Sequence, residues 1–324
     1  MKKSEFDKFV AKLLEKGFVY SPVKDGEMVL VKQIFKPGDM DWSGDIPLNS
    51  FKSIVLPAKQ DMATYSKDVA KVINEKIKPI FILGLNILDL RALALFEQVF
   101  AKDYYFQKRR QSLHYIGLTN GIEDDLRKYK VFNKKYEEDV LEHLIFDVFV
   151  ERQKSGNLIL FSGSEKGQQL LEKSKIEDYE NIEFAGFIPE HGPNPLIEQK
   201  KLAILNNPDH PLWDKLAKIC LSCGKCSIHC PTCFCFDQKD KVEFDQVVKT
   251  RQWTTCFYPK FSEITGGNKE LDSVKKKLYF WYYHKFVRIP DEFDYYGCVS
   301  CMRCYKTCPV EINIAENLQE LKKV

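Results

Sequence analysis

Two short stretches of the sequence each carry four cysteines at the same spacing, C-x2-C-x2-C-x3-C, followed by a proline. The cysteines of the first run are Cys220, Cys223, Cys226 and Cys230, and those of the second run are Cys298, Cys301, Cys304 and Cys308. Three cysteines at this spacing place three thiolates around one loop, where they can bind three irons of a cubane cluster. The fourth cysteine points to a neighbouring site, as it does in two-cluster ferredoxins. The two runs therefore predict two 4Fe-4S clusters.

The runs also predict how the ligands are shared, because each run supplies three ligands to one cluster and one ligand to the other. One cluster is then bound by Cys220, Cys223, Cys226 and Cys308, and the other by Cys298, Cys301, Cys304 and Cys230. Small or polar residues within the runs suit donation of backbone N–H groups to sulfur: Ser222, Gly224, Ser227 and Ser300. Structural zinc is the alternative, but zinc sites use pairs of C-x2-C with long gaps. Two runs of identical spacing favour clusters over zinc.

Three further cysteines, Cys233, Cys235 and Cys256, lie outside the runs. Free cysteine is among the most buried residue types, so these three can be packing residues, accessory ligands or a redox-active thiol set. His284, on an aromatic segment, is a candidate hydrogen-bond donor near a cluster. The sequence contains no recognisable Ser-His-Asp set, paired-carboxylate signature or phosphate-binding loop.

Composition narrows the class of protein. The chain has 324 residues, 44% of them hydrophobic, and its 49 basic and 46 acidic residues leave a formal net charge of +3. This near balance argues against a nucleic-acid binder. All 11 cysteines follow residue 219, which favours metal ligands in a reducing compartment over a disulfide scaffold. With no signal-like start and no apolar run long enough to span a bilayer, we expect a cytoplasmic protein without a membrane span.

Apolar periodicity predicts an α/β domain over residues 1–190. The predicted strands are 18–21, 28–34, 79–84, 113–118, 146–150 and 158–161, and the predicted helices are 4–17, 60–74, 89–100 and 165–173. The segment 188–195 contains three prolines and a glycine and is the predicted linker.

The second predicted domain, residues 191–324, is mainly helical and ferredoxin-like, and it carries both cysteine runs. Its predicted helices are 212–219, 274–288 and 314–321, with strands within 242–248. The expected fold is an α/β N-terminal domain followed by a mainly helical ferredoxin-like domain that holds two 4Fe-4S clusters.

Several motifs of the second half occur together in one family. They are Cys-Pro-Thr-Cys-Phe-Cys-Phe-Asp at 230–237, Trp-Thr-Thr-Cys-Phe at 253–257, Gly-Gly-Asn at 266–268, His-Lys-Phe at 284–286 and the second run. With these motifs, residues 212–314 closely resemble the dicluster 4Fe-4S subunits. That family includes an iron–sulfur component of anaerobic sulfite reductase, the β subunit of sulfhydrogenase and iron–sulfur subunits of flavin oxidoreductase–heterodisulfide reductase complexes.

The resemblance is weaker in the first half, where it depends on residues 56–59, 84–89 and 103–110. The family pattern has cysteines at two positions of this domain. Here the corresponding stretches are Gly84–Asp89 and Thr119–Asp125, and neither contains a cysteine.

The resemblance implies a subunit that relays single electrons within a complex. Its implied partners are an NAD(P)H-linked flavoprotein and a catalytic subunit of the sulfite reductase, hydrogenase or heterodisulfide reductase type. On this hypothesis the chain transfers electrons and does not itself turn over a substrate. An alternative is a directly catalytic sulfur or disulfide reductase that uses Cys233, Cys235 or Cys256 beside the clusters. A structural zinc scaffold is a third, non-enzymatic hypothesis.

Overall fold

The computed structural model of the protein describes residues 1–66, 69–73, 77–129, 140–187 and 195–322. The helices are α1 Lys3–Lys16, α2 Lys52–Val55, α3 Ile87–Val99, α4 Tyr104–Arg110, α5 Ile122–Tyr129, α6 Glu165–Lys173, α7 Pro195–Leu205, α8 Pro211–Ile219, α9 Lys225–Ile228, α10 Val274–Tyr283, α11 Ile289–Phe293, α12 Arg303–Lys306 and α13 Ile314–Leu321. The strands are β1 Phe18–Asp25, β2 Met28–Ile34, β3 Lys59–Ser66, β4 Val69–Val72, β5 Ile80–Leu85, β6 Leu113–Thr119, β7 Val148–Arg152, β8 Leu158–Ser162, β9 Glu180–Asn181, β10 Phe236–Glu243 and β11 Gln246–Trp253.

The chain forms two compact units. The first comprises Met1–Phe51, Lys76–Ile188 and the short segment Val299–Cys301, and the second comprises Lys52–Glu75, Pro189–Cys298 and Met302–Val324. The assignment of 1–190 and 191–324 to two domains stays a prediction, and the compact units group 52–75 with the later residues. Residues 188–194 of the predicted linker lie outside the described residues.

The first unit is built on a seven-stranded sheet in the order β2-β1-β5-β6-β7-β8-β9. Its centre is parallel, since β1, β5, β6 and β7 run in one direction, while β2 pairs antiparallel with β1 and β8 pairs antiparallel with β7 and parallel with β9. Every residue of β5 is buried, as expected for a strand covered on both faces. The α/β prediction for the N-terminal half is confirmed.

Most elements predicted for residues 1–190 occur within a few residues of their expected bounds, but two differ. The helix after β5 begins at the cap residue Asn86, whose side chain accepts a hydrogen bond from the N–H of Asp89, so Asp89 itself lies inside the helix. The helix predicted for 60–74 is wrong, because β3 and β4 occupy this segment. These two strands belong to the second unit, where β3 pairs with β11.

The second unit contains a four-stranded antiparallel sheet, β10-β11-β3-β4, and the helices that surround the cysteine runs. With this sheet, the second unit contains more strand structure than the predicted mainly helical domain. The helical core includes Trp213 from α8, Leu278 and Tyr282 from α10, and Leu318 from α13. The predicted aromatic helix 274–288 is α10 followed by a π-helical turn at His284–Arg288. Single π-helical turns within helices occur often at functional sites.

Across the described ranges, no helix is both long and apolar enough to cross a membrane.

Candidate metal centre

The two cysteine runs share an unusual backbone conformation. In the first run Ser222 has φ +49° and Gly224 has φ +73°, and at the equivalent positions of the second run Ser300 has φ +57° and Met302 has φ +58°. Each loop is followed by a single helical turn, α9 in the first run and α12 in the second, and these two turns pack against each other. Left-handed conformations at non-glycine residues are energetically costly and cluster at functional sites.

Packing explains why one of these positions is a glycine. A Cβ atom at Gly224 would lie 2.5 Å from Cγ2 of Thr255 and 3.1 Å from Cε1 of Tyr258. The left-handed φ and the missing space both require glycine here.

Four cysteines that the sequence assigns to one cluster surround a common cavity. Its lining includes Cys220, Cys223, Cys226 and Cys308, together with Cys304 and the apolar side chains of Phe257, Leu278, Trp281 and Ile312. Helix α8 delivers Cys220, which is its C-cap residue, and α8 packs against α10. The fold therefore brings the fourth cysteine of the second run to the first three cysteines of the first run.

The sulfurs around this cavity, which we call the apolar cavity, accept backbone hydrogen bonds. The N–H of Ile312 donates to Sγ of Cys308 at 3.4 Å. At Cys220, burial raises the pKa of the thiol, while a hydrogen bond from the backbone N–H of Ser222 acts in the opposite direction. Nε1 of Trp281 is buried and has no hydrogen-bond partner among the described residues. Backbone N–H donors to cysteine sulfur and an apolar surround suit an iron–sulfur cluster.

Cys230, the fourth cysteine of the first run, occupies a different environment. Its sulfur lies 3.1 Å from Nζ of Lys285 and 3.1 Å from Oγ1 of Thr232. A hydrogen bond from the thiol of Cys233 is the main cause that holds the pKa of Cys230 well below its ordinary value, and Lys285 and Thr232 add to it. The fold thus favours a thiolate at Cys230, which is the form that binds metal.

Thr232 also connects this site to the second run. Its hydroxyl donates to the carbonyl of Gly297 at 2.8 Å, and Lys285 donates to the same carbonyl at 3.2 Å. Gly297 directly precedes Cys298 in the chain, so Cys230 lies beside the start of the second run. Cys298 and Cys304 both lie against the helical core of the second unit. Cys301 is buried and belongs to the short segment grouped with the first unit.

Two lysines are buried next to Cys230 and Cys233. Lys285 is 2% exposed and Lys52 is 4% exposed. Nζ of Lys52 donates to the carbonyls of Ser227 and Cys233 at 3.0 and 3.2 Å, and it lies 4.3 Å from the ring centroid of Trp253. Burial lowers the pKa of Lys52, whereas at Lys285 the nearby cysteines outweigh burial and hold the pKa above its ordinary value. Buried cations of this kind require a neighbouring anion.

Sequence reasoning did not identify this pair of lysines. Lys285 falls within a motif of the family, but its chemistry was not apparent, and Lys52 is 175 residues from Ser227 in the chain.

No group of three or more His, Cys, Asp or Glu side chains in the described ranges is close enough to hold a single metal ion.

Of the three cysteines outside the runs, Cys233 lies beside Cys230 and Cys256 lies near Cys226, while Cys235 lies near Cys256. Burial raises the pKa of the Cys256 thiol to about 12 and also raises that of Cys235. The hydrogen bond that Cys233 donates to Cys230 raises the pKa of Cys233 well above its ordinary value. All three are therefore protonated thiols near neutral pH.

His284 packs against aromatic rings. It stacks on Phe280 with the two ring centroids 5.9 Å apart and lies edge-on to Phe234 at 5.8 Å. Burial lowers the pKa of His284 to about 4, so the imidazole is neutral at physiological pH. Its role as a hydrogen-bond donor to a cluster stays a prediction.

The two first-unit stretches in which the family pattern has cysteines meet at one cavity. This cavity, of about 250 Å³, lies at the carboxyl ends of β5 and β6, and its lining includes Gly84, Asn86, Thr119 and Asp125. The sequence separates these stretches by about 30 residues, but adjacent parallel strands bring them together.

Both the cysteine-rich region and the chain as a whole are similar to known proteins. Residues 219–312, which contain both runs, match the family model described as a 4Fe-4S dicluster domain. Along its length the chain is similar to Sulfhydrogenase 2 subunit beta of Pyrococcus furiosus, with 23% identity over 337 residues that cover 98% of this chain and 96% of the relative. No solved structure matches the chain. The two matches confirm the resemblance to the dicluster 4Fe-4S subunits, and iron–sulfur electron transport in an oxidoreductase is consistent with both.

Proposed function

We propose that the chain is an electron-transfer subunit with two 4Fe-4S clusters. One cluster is bound by Cys220, Cys223, Cys226 and Cys308, and the other by Cys298, Cys301, Cys304 and Cys230. The observation that carries this proposal is the apolar cavity, where the first three cysteines of the first run share one space with Cys308, the fourth cysteine of the second run, and with its neighbour Cys304. The sequence spacing and the left-handed loops of both runs support it.

When bound, such clusters exchange single electrons at potentials set by charge, hydrogen bonds to sulfur and solvent exposure. The chain supplies each of these conditions. Phe257, Leu278 and Trp281 give the cavity an apolar lining, and backbone N–H groups donate to the sulfurs of Cys220 and Cys308. At the other site, the ammonium group of Lys285 contacts Sγ of Cys230 at 3.1 Å and favours its thiolate form.

The relatives suggest where the electrons come from and go. We propose a cytoplasmic complex in which a flavoprotein that oxidises NAD(P)H and a catalytic reductase or hydrogenase subunit bind this chain. The matched relative is the beta subunit of a sulfhydrogenase, which supports a partner of that type. Affinity purification of the tagged chain from its source under anaerobic conditions tests the proposal, and we expect a flavoprotein and a second redox subunit to co-purify. Recovery of the chain without redox partners would contradict it.

Metal analysis tests the cofactor directly. After anaerobic purification we expect about eight iron and eight sulfide per chain, from two four-iron sites. We also expect a broad visible absorbance band that dithionite bleaches. Stoichiometric zinc without cluster absorbance would falsify the proposal and support the zinc scaffold instead.

A further inference from the structure

The two proposed cluster sites differ in the charge placed beside their ligands. Around the apolar cavity, the donors to Cys220 and Cys308 are neutral backbone N–H groups. At the other site, Cys230 accepts a hydrogen bond from the neutral thiol of Cys233 and also one, at 3.1 Å, from the ammonium group of Lys285. The main difference is therefore a full positive charge in direct contact with one ligand sulfur.

The position of Lys285 is fixed by its own hydrogen bonds. Its Nζ donates to Sγ of Cys230, Oγ1 of Thr232 and the carbonyl of Gly297 at 3.1, 3.1 and 3.2 Å. Among the described residues, no carboxylate lies within ion-pair distance of this Nζ. An ammonium that is 2% exposed and has no carboxylate partner is costly unless another anion offsets its charge. The thiolate of Cys230 and the cluster it would bind supply that anion.

A buried charge of this kind acts unequally on the two oxidation states of a cluster. Reduction adds one electron, and therefore one negative charge, with no bond made or broken. In a low-dielectric interior a fixed positive charge stabilises the more negative state more strongly than the less negative one. The reduction potential rises as a result.

We propose that Lys285 raises the reduction potential of the cluster bound by Cys230, so that this cluster is the higher-potential one of the two. Lys285 is a positioning residue that acts through Cys230, and the inference rests on the proposed two-cluster function. The charge of Lys285 would then favour an added electron on the cluster beside Cys230 over one on the cluster in the apolar cavity. This order gives the chain an internal direction for electron transfer.

The test is a redox titration of the purified holoprotein, followed by electron paramagnetic resonance, in the wild type and in Lys285→Met. The methionine keeps the length and apolar stem of lysine but removes the charge. We expect the higher of the two midpoint potentials to fall by at least about 59 mV, a tenfold change in the one-electron equilibrium. Lys285→Arg, which retains the charge, should keep the higher midpoint potential close to its wild-type value.

Lys277 provides a matched control, because it lies near the other cluster. Its Nζ donates to the carbonyl of Phe257 at 3.1 Å, and its charge acts on Cys220. Lys277→Met should leave the higher potential unchanged and move only the lower one. If Lys285→Met fails to fold, Thr232→Val removes one hydroxyl that contacts both Lys285 and Cys230, and a smaller fall of the same potential is expected.

The outcomes separate the inference from the proposed function. Two intact clusters whose higher potential is the same in wild type, Lys285→Met and Thr232→Val overturn the inference alone. A fall of the lower potential in Lys285→Met, with the higher one unchanged, also overturns it. Purified wild type without iron and sulfide overturns the proposed function itself.

Discussion

Burial decides which thiols of the second unit are able to react. The nucleophilic form of cysteine is the thiolate, and reactive cysteines have lowered pKa values and partial exposure. Cys256 has the opposite properties, since it is 4% exposed and its pKa is raised to about 12. Cys233 and Cys235 also have raised pKa values. These side chains are better suited to packing beside the cysteine runs than to attack on a sulfur substrate.

This interpretation makes a prediction about the alternative function. Cys233→Ala, Cys235→Ala and Cys256→Ala, made one at a time, should each retain about eight irons per chain, because none of the three is among the proposed ligands of the two clusters. Electron transfer from a reduced partner to an artificial acceptor should continue in each variant. Iron analysis and anaerobic stopped-flow measurements check both expectations. Full iron content with abolished turnover in any of the three would favour the directly catalytic reductase.

A second prediction at this scale concerns the first unit and pH. His114 on β6 stacks on Phe81 with the ring centroids 4.7 Å apart, and burial lowers its pKa from 6.5 to about 4. The unfolded chain binds the proton near pH 6.5, whereas the folded chain binds it only near pH 4. The free energy of unfolding therefore falls as the pH falls through this window, by at most about 1.4 kcal/mol per pH unit.

Urea unfolding of wild type and His114→Phe at pH 7, 6 and 5 measures this contribution. The phenylalanine keeps the stacked ring and removes the titration, so the stability of the variant should decline less between pH 7 and 5. The charged groups that act on His114 are Asp147, Lys166, Arg110 and Lys16, and they are the same in both proteins. Equal slopes for the two proteins would show that His114 does not contribute.

At the scale of elements, the local hydrophobic pattern predicts a helix or strand correctly where tertiary packing agrees with the local secondary-structure propensity. The apolar run of β5 and the amphipathic pattern of α6 predicted both elements to nearly their full bounds. The helix prediction for 60–74 is wrong because β3 forms by pairing with a strand that is distant in the sequence. Tyr65 on β3, for example, pairs with Val247 on β11. Strand preference depends on such cross-strand neighbours, which a local window does not contain. The contact between Lys285 and Cys230 spans 55 residues and was not predicted for the same reason.

The loop of the first run yields a prediction with an internal control. Gly224→Ala introduces both a strained left-handed φ and a clash with Thr255, so we expect a loss of roughly 1–3 kcal/mol in stability or incomplete cluster assembly. Gly266 also has a left-handed φ, of +89°, but a Cβ there would meet no atom within 4 Å. Gly266→Ala therefore incurs the backbone cost without the clash. Melting temperature and iron content should both fall further in Gly224→Ala, and equal losses would mean that the clash with Thr255 is unimportant.

At the scale of the whole molecule, the spacing of the cysteines predicted both the chemistry and the sharing of ligands between runs. It could not predict the charge distribution around them. Lys52 and Lys285 belong to distant segments of the second unit's sequence, and only the folded chain brings them to Cys230 and Cys233. The proposed ligands thus follow from local spacing in the sequence, whereas the charge difference between the two proposed sites depends on tertiary structure.

The sharing of ligands gives the last prediction, which distinguishes reciprocal binding from two independent runs. If the runs are reciprocal, Cys220→Ala and Cys308→Ala damage the same cluster, although these cysteines belong to different runs. Cys230→Ala should damage the other cluster, and its remaining signal should have the lower potential. Each variant is expected to lose up to about four irons, since a cubane missing one ligand is destabilised. If redox titrations show that Cys220→Ala and Cys230→Ala lose the same cluster signal, and that Cys308→Ala loses the other one, each run binds its own cluster.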